Sequence, residues 1–309
     1  MPLTIQAIVC AVDFSPFSPL VVRHAVAIAR RTGLRLYLIH AVHDPQDEAH
    51  PTAVFERGGD LAHLTDDARQ RIRALMTDAA VDWESVVRFG EPVEQTVAFV
   101  SSLPPSLVVS ASHGLSGFRR FFIGTVVERM TRALDCPMLV VKPGEGEDHG
   151  RFNGFRSAVV SCDGHGYWQR MAPLMPLLQS DAASRILMVH ALEGPMEEVI
   201  TDSDAVSYGQ VQQALQDRLD RRLRTQGRRM FPHADQVSVA IAPGVPQEMV
   251  LGLARERASD LIAVGVRRSG KVGRWISGST TEALLRRSPC SVLTVPEAVE
   301  PTHTEGHHR

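Results

Sequence analysis

The sequence predicts an α/β protein of two tandem domains, each with a five-stranded parallel sheet of the Rossmann-like kind and helices on both faces. An internal repeat is the first observation behind this prediction: Asp13 and His40 lie 27 residues apart, and so do Asp163 and His190. Short apolar runs alternate with helical-period segments through both copies, which is typical of a parallel sheet covered by helices. Because a repeat of about 150 residues is domain-sized, each copy is expected to fold as a complete domain.

The spacing of glycines and cysteines shows that the repeat extends to the last predicted strand of each half. Three positions recur, with separations of 34 and then 12 residues in both copies: Gly90, Gly124 and Cys136 as Gly244, Gly278 and Cys290. The offset grows from 150 to 154, so a net insertion of four residues lies between His190 and Gly244, where we expect a surface loop. We predict a first domain over 1–143, a glycine-rich linker over 144–154, a second domain over 155–296 and a flexible tail over 297–309.

Each strand is predicted from an apolar run rich in β-branched residues and bounded by turn residues. The strands of the first half are Ile5–Val12, Leu34–Val42, Trp83–Phe89, Leu107–Ala111 and Met138–Lys142. Between them, apolar positions at helical spacing predict helices over Pro16–Thr32, Gly59–Ala79, Pro92–Ser102 and Thr125–Leu134. The second half repeats the pattern, with strands at Ala158–Cys162, Ile186–Ala191, Val237–Ile241, Leu261–Gly265 and Ser291–Val295. The last strand of each half is short and apolar, and we expect the halves to pack through these two edges.

The composition of the chain limits the classes of protein to which it is expected to belong. The chain is 44% hydrophobic and 22% charged, as is ordinary for a globular protein, and its net charge of −2 indicates no general affinity for nucleic acid. No apolar run is long enough to span a membrane and no targeting segment opens the sequence, so we expect a cytoplasmic protein with no membrane partner. Cys136 and Cys290 precede the last strands, where buried reduced thiols are expected.

Ligands of parallel α/β sheets bind beyond the carboxyl ends of the strands, which directs attention to the fourth strand of each half. In the first half Ala111-Ser112-His113-Gly114 is followed by nine residues and then by Gly124-Thr125, which opens a helix. Glycine permits close approach of backbone amides, and the helix N-terminus attracts anions, so this pattern predicts a phosphate site. The second half places Gly265, Arg268 and Gly278-Ser279 in the same register.

At these residues the chain resembles the tandem universal stress proteins. Their motif is Gly, two residues, Gly, nine residues, Gly and Ser or Thr after the fourth strand. The Val-Asp-Phe-Ser of 12–15, the Ile-His-Ala of 39–41 and the Gly-x-Pro of 90–92 and 244–246 match as well. The resemblance covers about residues 3–143 and 155–296. It implies the fold already predicted and, in the members that bind it, an ATP site.

The resemblance implies that the motif holds the ribose and phosphates, while the aspartate after the first strand and the backbone after the second line the adenosine pocket. The implied positions of the first half are Asp13, Ala41, Ala111, Gly114, Gly124 and Thr125. Those of the second half are Asp163, Ala191, Gly265, Gly278 and Ser279. Ala111 stands at a glycine position and adds one methyl group. Arg268 also stands at a glycine position, where it either blocks the pocket or reaches the phosphates as a cation, so the first half is the expected site.

Structural roles compete with ligand binding at several of these residues. Thr125 with Glu128, and Ser279 with Glu282, have the spacing of a capping box that closes a helix N-terminus. Asp13 and Asp163 are also typical turn residues. His40 and His190 end apolar strands and are expected to be structural, whereas His113, within the loop, is the better candidate to face a ligand.

Two functions are consistent with these features. The first is a stress-response protein that binds ATP, with or without Mg, or another adenine nucleotide as a sensor or regulator. The second is a nucleotide-free scaffold, formed by intramolecular domain pairing, that recruits protein partners; a homodimer stays open in either case. Walker A, dinucleotide and nucleophile-elbow motifs are absent from the sequence, so we expect no catalytic residues and at most slow ATP hydrolysis.

Overall fold

The structure, a computed structural model, describes residues 4–42, 58–77, 79–112, 125–143, 152–162, 167–180, 184–192, 205–232, 234–266 and 279–297. Ten strands form one continuous sheet. The strands of the first half are β1 Ala7–Ala11, β2 Arg35–Val42, β3 Trp83–Phe89, β4 Ser106–Ala111 and β5 Met138–Val141. Those of the second half are β6 Ser157–Ser161, β7 Arg185–Leu192, β8 Gln236–Pro243, β9 Leu261–Val266 and β10 Ser291–Pro296.

Helices connect these strands on both faces. The helices of the first half are α1 Ser18–Thr32, α2 Gly58–Leu75, α3 Pro92–Ser101 and α4 Thr125–Ala133. Those of the second half are α5 Met175–Leu178, α6 Ala205–Met230, α7 Pro246–Glu256 and α8 Ser279–Arg287. The predicted α/β fold class is confirmed.

The sheet order is β3-β2-β1-β4-β5-β10-β9-β6-β7-β8. Neighbouring strands within each half pair in parallel, and the halves join where β5 meets β10 in antiparallel orientation. At this junction Val140 is opposite Val292 and Leu139 is opposite Leu293, all of them buried. The predicted packing of the two halves through their last strands is therefore present.

Two apolar cores lie on opposite faces of the sheet and run through both halves. Ile8 of β1 points into the core that is covered by α1, α2 and α6, while the adjacent Val9 points into the core covered by α3, α4, α7 and α8. This alternation follows from the two-residue period of a strand. Because both faces are covered, the strands read as continuous apolar runs, which is why they are recognisable in the sequence.

The second half departs from the repeat after β6. Where the first half has the 15-residue helix α1, the second has short 3-10 turns at Tyr167–Arg170 and Ala172–Leu174, followed by the single turn of α5. Pro173 and Pro176 lie within this segment, and proline removes a helical hydrogen bond and clashes with the preceding turn. The segment is nevertheless buried against the sheet through its apolar side chains: Met171, Leu174, Met175 and Leu178.

A cluster of four charged side chains ties α4 to α8 across the junction. Glu128 accepts hydrogen bonds from Arg132 at 2.6 Å and from Arg286 at 3.0 Å. Glu282 pairs with Arg286 at 2.9 Å and with Arg132 at 3.5 Å. Glu282 and Arg286 are the repeat counterparts of Glu128 and Arg132, so the cluster is pseudo-twofold symmetric. The two glutamates that the capping-box alternative assigned to helix N-termini thus direct their carboxylates to arginines.

Glu128→Ala is expected to lower the free energy of unfolding by about 1 kcal/mol, because it removes a half-buried carboxylate that has two arginine partners. The loss should be no larger, since both arginines are partly exposed and solvent screens their charges. Urea unfolding at low and high salt measures the effect, which should shrink as salt rises. The control is Glu84→Ala, which removes an exposed ion pair with Arg35 at 3.1 Å and should change stability by less than about 0.5 kcal/mol. Equal losses in both variants would contradict a special role for the junction cluster.

Among the helices of the described residues, none has the length and apolar character needed to cross a membrane.

Candidate functional site

The carboxyl ends of β1, β2 and β4 lie side by side in the first half. In β1, Ala11 pairs with Ile39 of β2, and Cys10 pairs with Val109 of β4. Extending these registers by two residues brings Asp13 level with Ala41 and close to Ala111. Strand order reverses between β1 and β4, and such a reversal opens a crevice above the sheet. Three of the sequence-predicted site residues therefore meet at one edge.

Asp13 shapes the turn from β1 into α1. Its Oδ1 accepts a hydrogen bond from the Ser15 amide at 2.9 Å and another from Ser18 Oγ at 3.1 Å. Ser18 is buried and begins the helix. The turn role expected as an alternative for Asp13 is thus present, and it holds the carboxylate in one orientation at the sheet edge.

Phe14 adds an aromatic ring to this edge. Its backbone is left-handed, with φ of 57°, a conformation that costs a non-glycine residue roughly 1–3 kcal/mol and is concentrated at functional sites. The ring contacts the His40 imidazole at a centroid distance of 4.2 Å. The Arg71 guanidinium of α2 lies over the ring at 4.0 Å from its centroid, within cation–π range. Asp13, Phe14, His40 and Arg71 therefore form one cluster.

His40 and His190 are held by equivalent hydrogen bonds. Each ring donates through Nδ1 to a backbone carbonyl, His40 to Val12 and His190 to Cys162, both at 2.8 Å. The hydrogen bond expected of a structural histidine is therefore present at both positions. Burial lowers the pKa of His40 below its ordinary value, although the hydrogen bond to Val12 opposes that shift. The ring of His40 is then neutral at pH 7, and its Nε2 is left as an acceptor.

In the second half Ala191 lies near the end of β7 and Gly265 near the end of β9. The Gly265 carbonyl accepts a hydrogen bond from Thr281 Oγ1 at 3.0 Å, which ties the first turn of α8 to the end of β9. Thr281 was not among the predicted site residues. The sequence hints at its role only through its position two residues after Ser279. Phe14 and Arg71 were missed as well. The counterpart of Phe14 in the second half is Gly164, so the repeat has no aromatic side chain at that position of the second half.

Thr125 and Ser279 are the first residues of α4 and α8, as the sequence predicted, and the Thr125 side chain is exposed. Six predicted site residues lie outside the described residues: His113, Gly114, Gly124, Asp163, Arg268 and Gly278. Their roles stay predictions. The described strands and helices place the two ends of each glycine segment, at the carboxyl end of the fourth strand and at the N-terminus of the following helix.

The Gly-x-Pro segments form the remaining turns at this edge. Gly90 and Gly244 have φ of 122° and 151°, in the region that favours glycine. Each precedes a helix that begins with proline. In the first half the Glu91 side chain caps α3 by accepting from the amides of Val93 at 2.9 Å and Glu94 at 3.0 Å. Within the described ranges, no group of three or more metal-ligating side chains is present.

Comparisons of this chain with protein-family models, curated proteins and solved structures all identify universal stress proteins as similar. The model of the universal stress protein family matches residues 4–142 and 177–296, so the gap includes the proline-broken segment after β6. A Thermus aquaticus universal stress protein is 28% identical over 145 residues, which cover 46% of this chain and 98% of that protein. A crystal structure of a universal stress protein from Archaeoglobus fulgidus covers 95% of this chain and 99% of its own, with a TM-score of 0.64 and 17% identity. A universal stress protein in complex with cAMP covers 44% of this chain and 97% of its own, at 23% identity and a TM-score of 0.32.

Proposed function

We propose that this chain, which belongs to the universal stress protein family, binds ATP or another adenine nucleotide at the carboxyl edge of its first half. One observation carries the proposal: Asp13, Ala41 and Ala111 lie at or just beyond the ends of three adjacent strands at the reversal of strand order, and α4 begins at the residue after Gly124. Nucleotides of open parallel α/β sheets bind in the crevice beyond the strand ends at such a reversal.

The chemistry divides between the two sides of this edge. The α4 N-terminus offers unpaired amides and partial positive charge to phosphates. On the other side, the Phe14 ring, the neutral His40 ring and the Arg71 guanidinium provide flat surfaces and donors suited to a purine. Where Mg accompanies ATP, the phosphates and waters supply most of its ligands and Asp13 is the nearest carboxylate of the described cluster. None of these residues is arranged as a nucleophile and base, so binding rather than turnover is the proposed activity.

Regulation by occupancy follows from the junction. The first-half site and the second half share one sheet, and α4, which would hold the phosphates, is tied to α8 by the Glu128 cluster. Ordering of the α4 N-terminus by a phosphate would therefore reach the second half through rigid elements. A nucleotide-dependent change in the surface of either half would make the protein a sensor.

Heating the purified chain with and without nucleotide tests the proposal. A ligand at 100 times its dissociation constant adds about 2.7 kcal/mol to the free energy of unfolding. ATP, ATP with Mg, AMP and cAMP are compared, with guanosine triphosphate as the base control. Adenine nucleotides should raise the melting temperature and the guanine nucleotide should not. The absence of any shift at millimolar nucleotide, together with no nucleotide released from freshly purified protein, would favour the scaffold alternative.

Arg268→Gly should reveal a second site by the sign of its effect. We expect Arg268 to block the second-half pocket, because a side chain at that Cα starts where a phosphate must approach. The substitution restores the glycine motif and should create binding with a stoichiometry approaching two nucleotides per chain. Calorimetric titration of the full chain measures this stoichiometry. If binding at the second half exists in the natural sequence and weakens in the variant, Arg268 is instead a phosphate ligand.

A further inference from the structure

The two outer strands of the ten-stranded sheet differ in charge. Outer strand β3 carries Glu84, which pairs with Arg35 at 3.1 Å, and Arg88, which lies over the Phe99 ring. Charges on an outer strand protect its free edge from pairing with another chain. Outer strand β8 has the sequence Gln-Val-Ser-Val-Ala-Ile-Ala-Pro and carries no charged side chain. Among the described residues, β8 therefore lacks the charged side chains that protect the edge at β3.

Backbone directions show which groups this edge presents. The amides of Gln236 and Gly244 donate to Ser184 and Leu192, on the side of β7. Because alternate residues of a strand point in opposite directions, the amides and carbonyls of Val239 and Ile241 point to the free edge. The Ile241 carbonyl accepts from Gln216 Nε2 of α6 at 2.8 Å.

A groove runs along this edge, with a cavity volume of about 590 Å³. Its floor is the second half of β8, and its walls are α6 on one face and α7 on the other. Val239 and Ile241 pack toward the core on the α6 face, and Ala240, Met249 and Leu253 toward the core on the α7 face. An extended chain placed against β8 would direct its side chains alternately to these two apolar walls.

The rim of the groove carries three charged side chains of α6, namely Asp217, Asp220 and Arg224, and their formal charges sum to −1. The sequence of α6 is otherwise rich in arginine. Asp220 is paired with Arg224 at 2.6 Å, while Asp217 accepts only a neutral hydrogen bond, from Gln213 at 3.0 Å, among its contacts in the described structure. The rim is therefore complementary to a basic side chain.

We propose that the free edge of β8 binds an extended segment of a partner protein as an eleventh strand, with a lysine or arginine of that segment at Asp217. Backbone pairing would supply affinity, and the two walls and the acidic rim would supply selectivity. The incoming strand would donate to the Ile241 carbonyl in place of Gln216, whose side-chain amide now fills that role.

A second copy of this chain fits the same edge poorly. Gln216 reaches the outward carbonyl of Ile241, so α6 lies close above the edge of the sheet. Two copies paired through β8 would bring their strands to about 4.8 Å and both α6 helices onto one face, whereas packed helices require about 8–10 Å between axes. A single extended segment has no such helix to accommodate.

Fluorescence anisotropy with a labelled peptide, acetyl-Thr-Val-Lys-Val-Thr-Val-amide, tests the proposal on the full chain. Two companion peptides replace the lysine with glutamate, or methylate the amide nitrogens of alternate residues so that one edge cannot donate. We expect the lysine peptide to bind, the glutamate peptide to bind about tenfold more weakly, and the methylated peptide to lose binding. Gln216→Ala should strengthen binding severalfold, because it frees the Ile241 carbonyl.

The rim is tested by the double variant Asp217→Lys, Asp220→Lys, which should reverse the preference to the glutamate peptide. The matched control is Asp66→Lys, Asp67→Lys on α2, the counterpart helix of the first half, which should leave binding unchanged. Equal binding of the methylated peptide, no effect of the rim variant, or no binding of the lysine peptide at about 1 mM would each overturn the proposal. So would a dimer in sedimentation experiments that Ile241→Lys dissociates, since the occupant would then be a second copy.

Discussion

Lys142→Met is expected to raise the free energy of unfolding by about 1–2 kcal/mol at pH 7, although it removes a hydrogen bond across the junction. Lys142 follows β5 and is only 8% exposed, and its Nζ donates to the Ser288 carbonyl at 3.0 Å. Burial lowers the pKa of Lys142 to about 8 from the ordinary 10.5. The folded state therefore disfavours the charged lysine, and methionine fills a similar volume without a charge.

The sign of the pH dependence follows from the lowered pKa. Between pH 8 and 10.5 the unfolded chain holds the Lys142 proton more tightly than the folded chain, so stability rises with pH over this window. Below pH 8 the folded protein bears the full free-energy cost of burying the charged Lys142 side chain. A pKa shift of this size corresponds to about 3 kcal/mol at most. In the variant, loss of the hydrogen bond to Ser288 offsets about 1 kcal/mol of the gain. The advantage of Lys142→Met should therefore shrink as pH rises, and near pH 10.5 the variant should be less stable than the natural protein by about the 1 kcal/mol of the lost hydrogen bond.

Denaturant unfolding of both proteins from pH 7 to 10.5 measures this difference, and groups that titrate elsewhere cancel in the comparison. Of the 33 lysine and arginine residues, two are lysines, and the other, Lys271, lies outside the described residues. Lys271→Met controls for the loss of one lysine charge, and a pH-dependent gain equal to that of Lys142→Met would mean that the effect does not come from burial at the junction. Lys142→Arg should lose stability relative to the natural protein as pH rises above 8, since arginine keeps its proton where Lys142 releases it. A loss of stability in Lys142→Met that is constant with pH would mean that the hydrogen bond to Ser288 outweighs the burial of charge.

The inner strands were predictable because they are buried on both faces. Strands β1 and β5 differ from the predicted bounds by at most two residues, since an uninterrupted apolar run leaves few other choices. The outer strand Trp83–Phe89 also has its predicted bounds, although Val86 is its one buried residue. The junction was predictable for a related reason: a short apolar last strand in each half needs a partner. The interrupted segment after β6 was not predictable from the repeat, because the equivalent segment of the first half forms a helix and only the prolines at 173 and 176 act against one here.

The site was only partly predictable. Asp13, Ala41 and Ala111 were identified because each lies at or just after the end of a predicted strand and because the resemblance to universal stress proteins implies them; the observed strand order brings these strand ends together. Phe14 and Arg71 are 57 residues apart in the chain, and a ring contact between a turn and a helix has no periodic signal. Glu128 stands three residues after Thr125, which is the spacing of a capping box, and four residues before Arg132, which is the spacing of an ion pair on a helix. The sequence does not decide between these two partners. The paired halves do, because Arg286 joins Arg132 at the Glu128 carboxylate.

Gly124→Val is expected to abolish nucleotide binding at the first half while leaving the fold intact. Gly124 lies outside the described residues, and α4 begins at the next residue. A branched side chain there would stand between a phosphate and the free amides of the α4 N-terminus, where only backbone allows close approach. Calorimetry with ATP should show at least about a hundredfold loss of affinity, because the phosphate contacts are lost together.

The repeat provides the control for this prediction. Gly278 is the counterpart of Gly124, with the same place before α8, so Gly278→Val imposes the same local change in the half where Arg268 is expected to prevent binding. Gly278→Val should keep the ATP affinity and stoichiometry of the natural protein, and both variants should keep its circular dichroism spectrum. If Gly278→Val abolishes binding and Gly124→Val does not, the nucleotide belongs to the second half and Arg268 is its ligand. If neither variant changes binding, adenine nucleotide binds this chain without the glycine segments, and the assignment by strand ends and helix N-terminus is wrong.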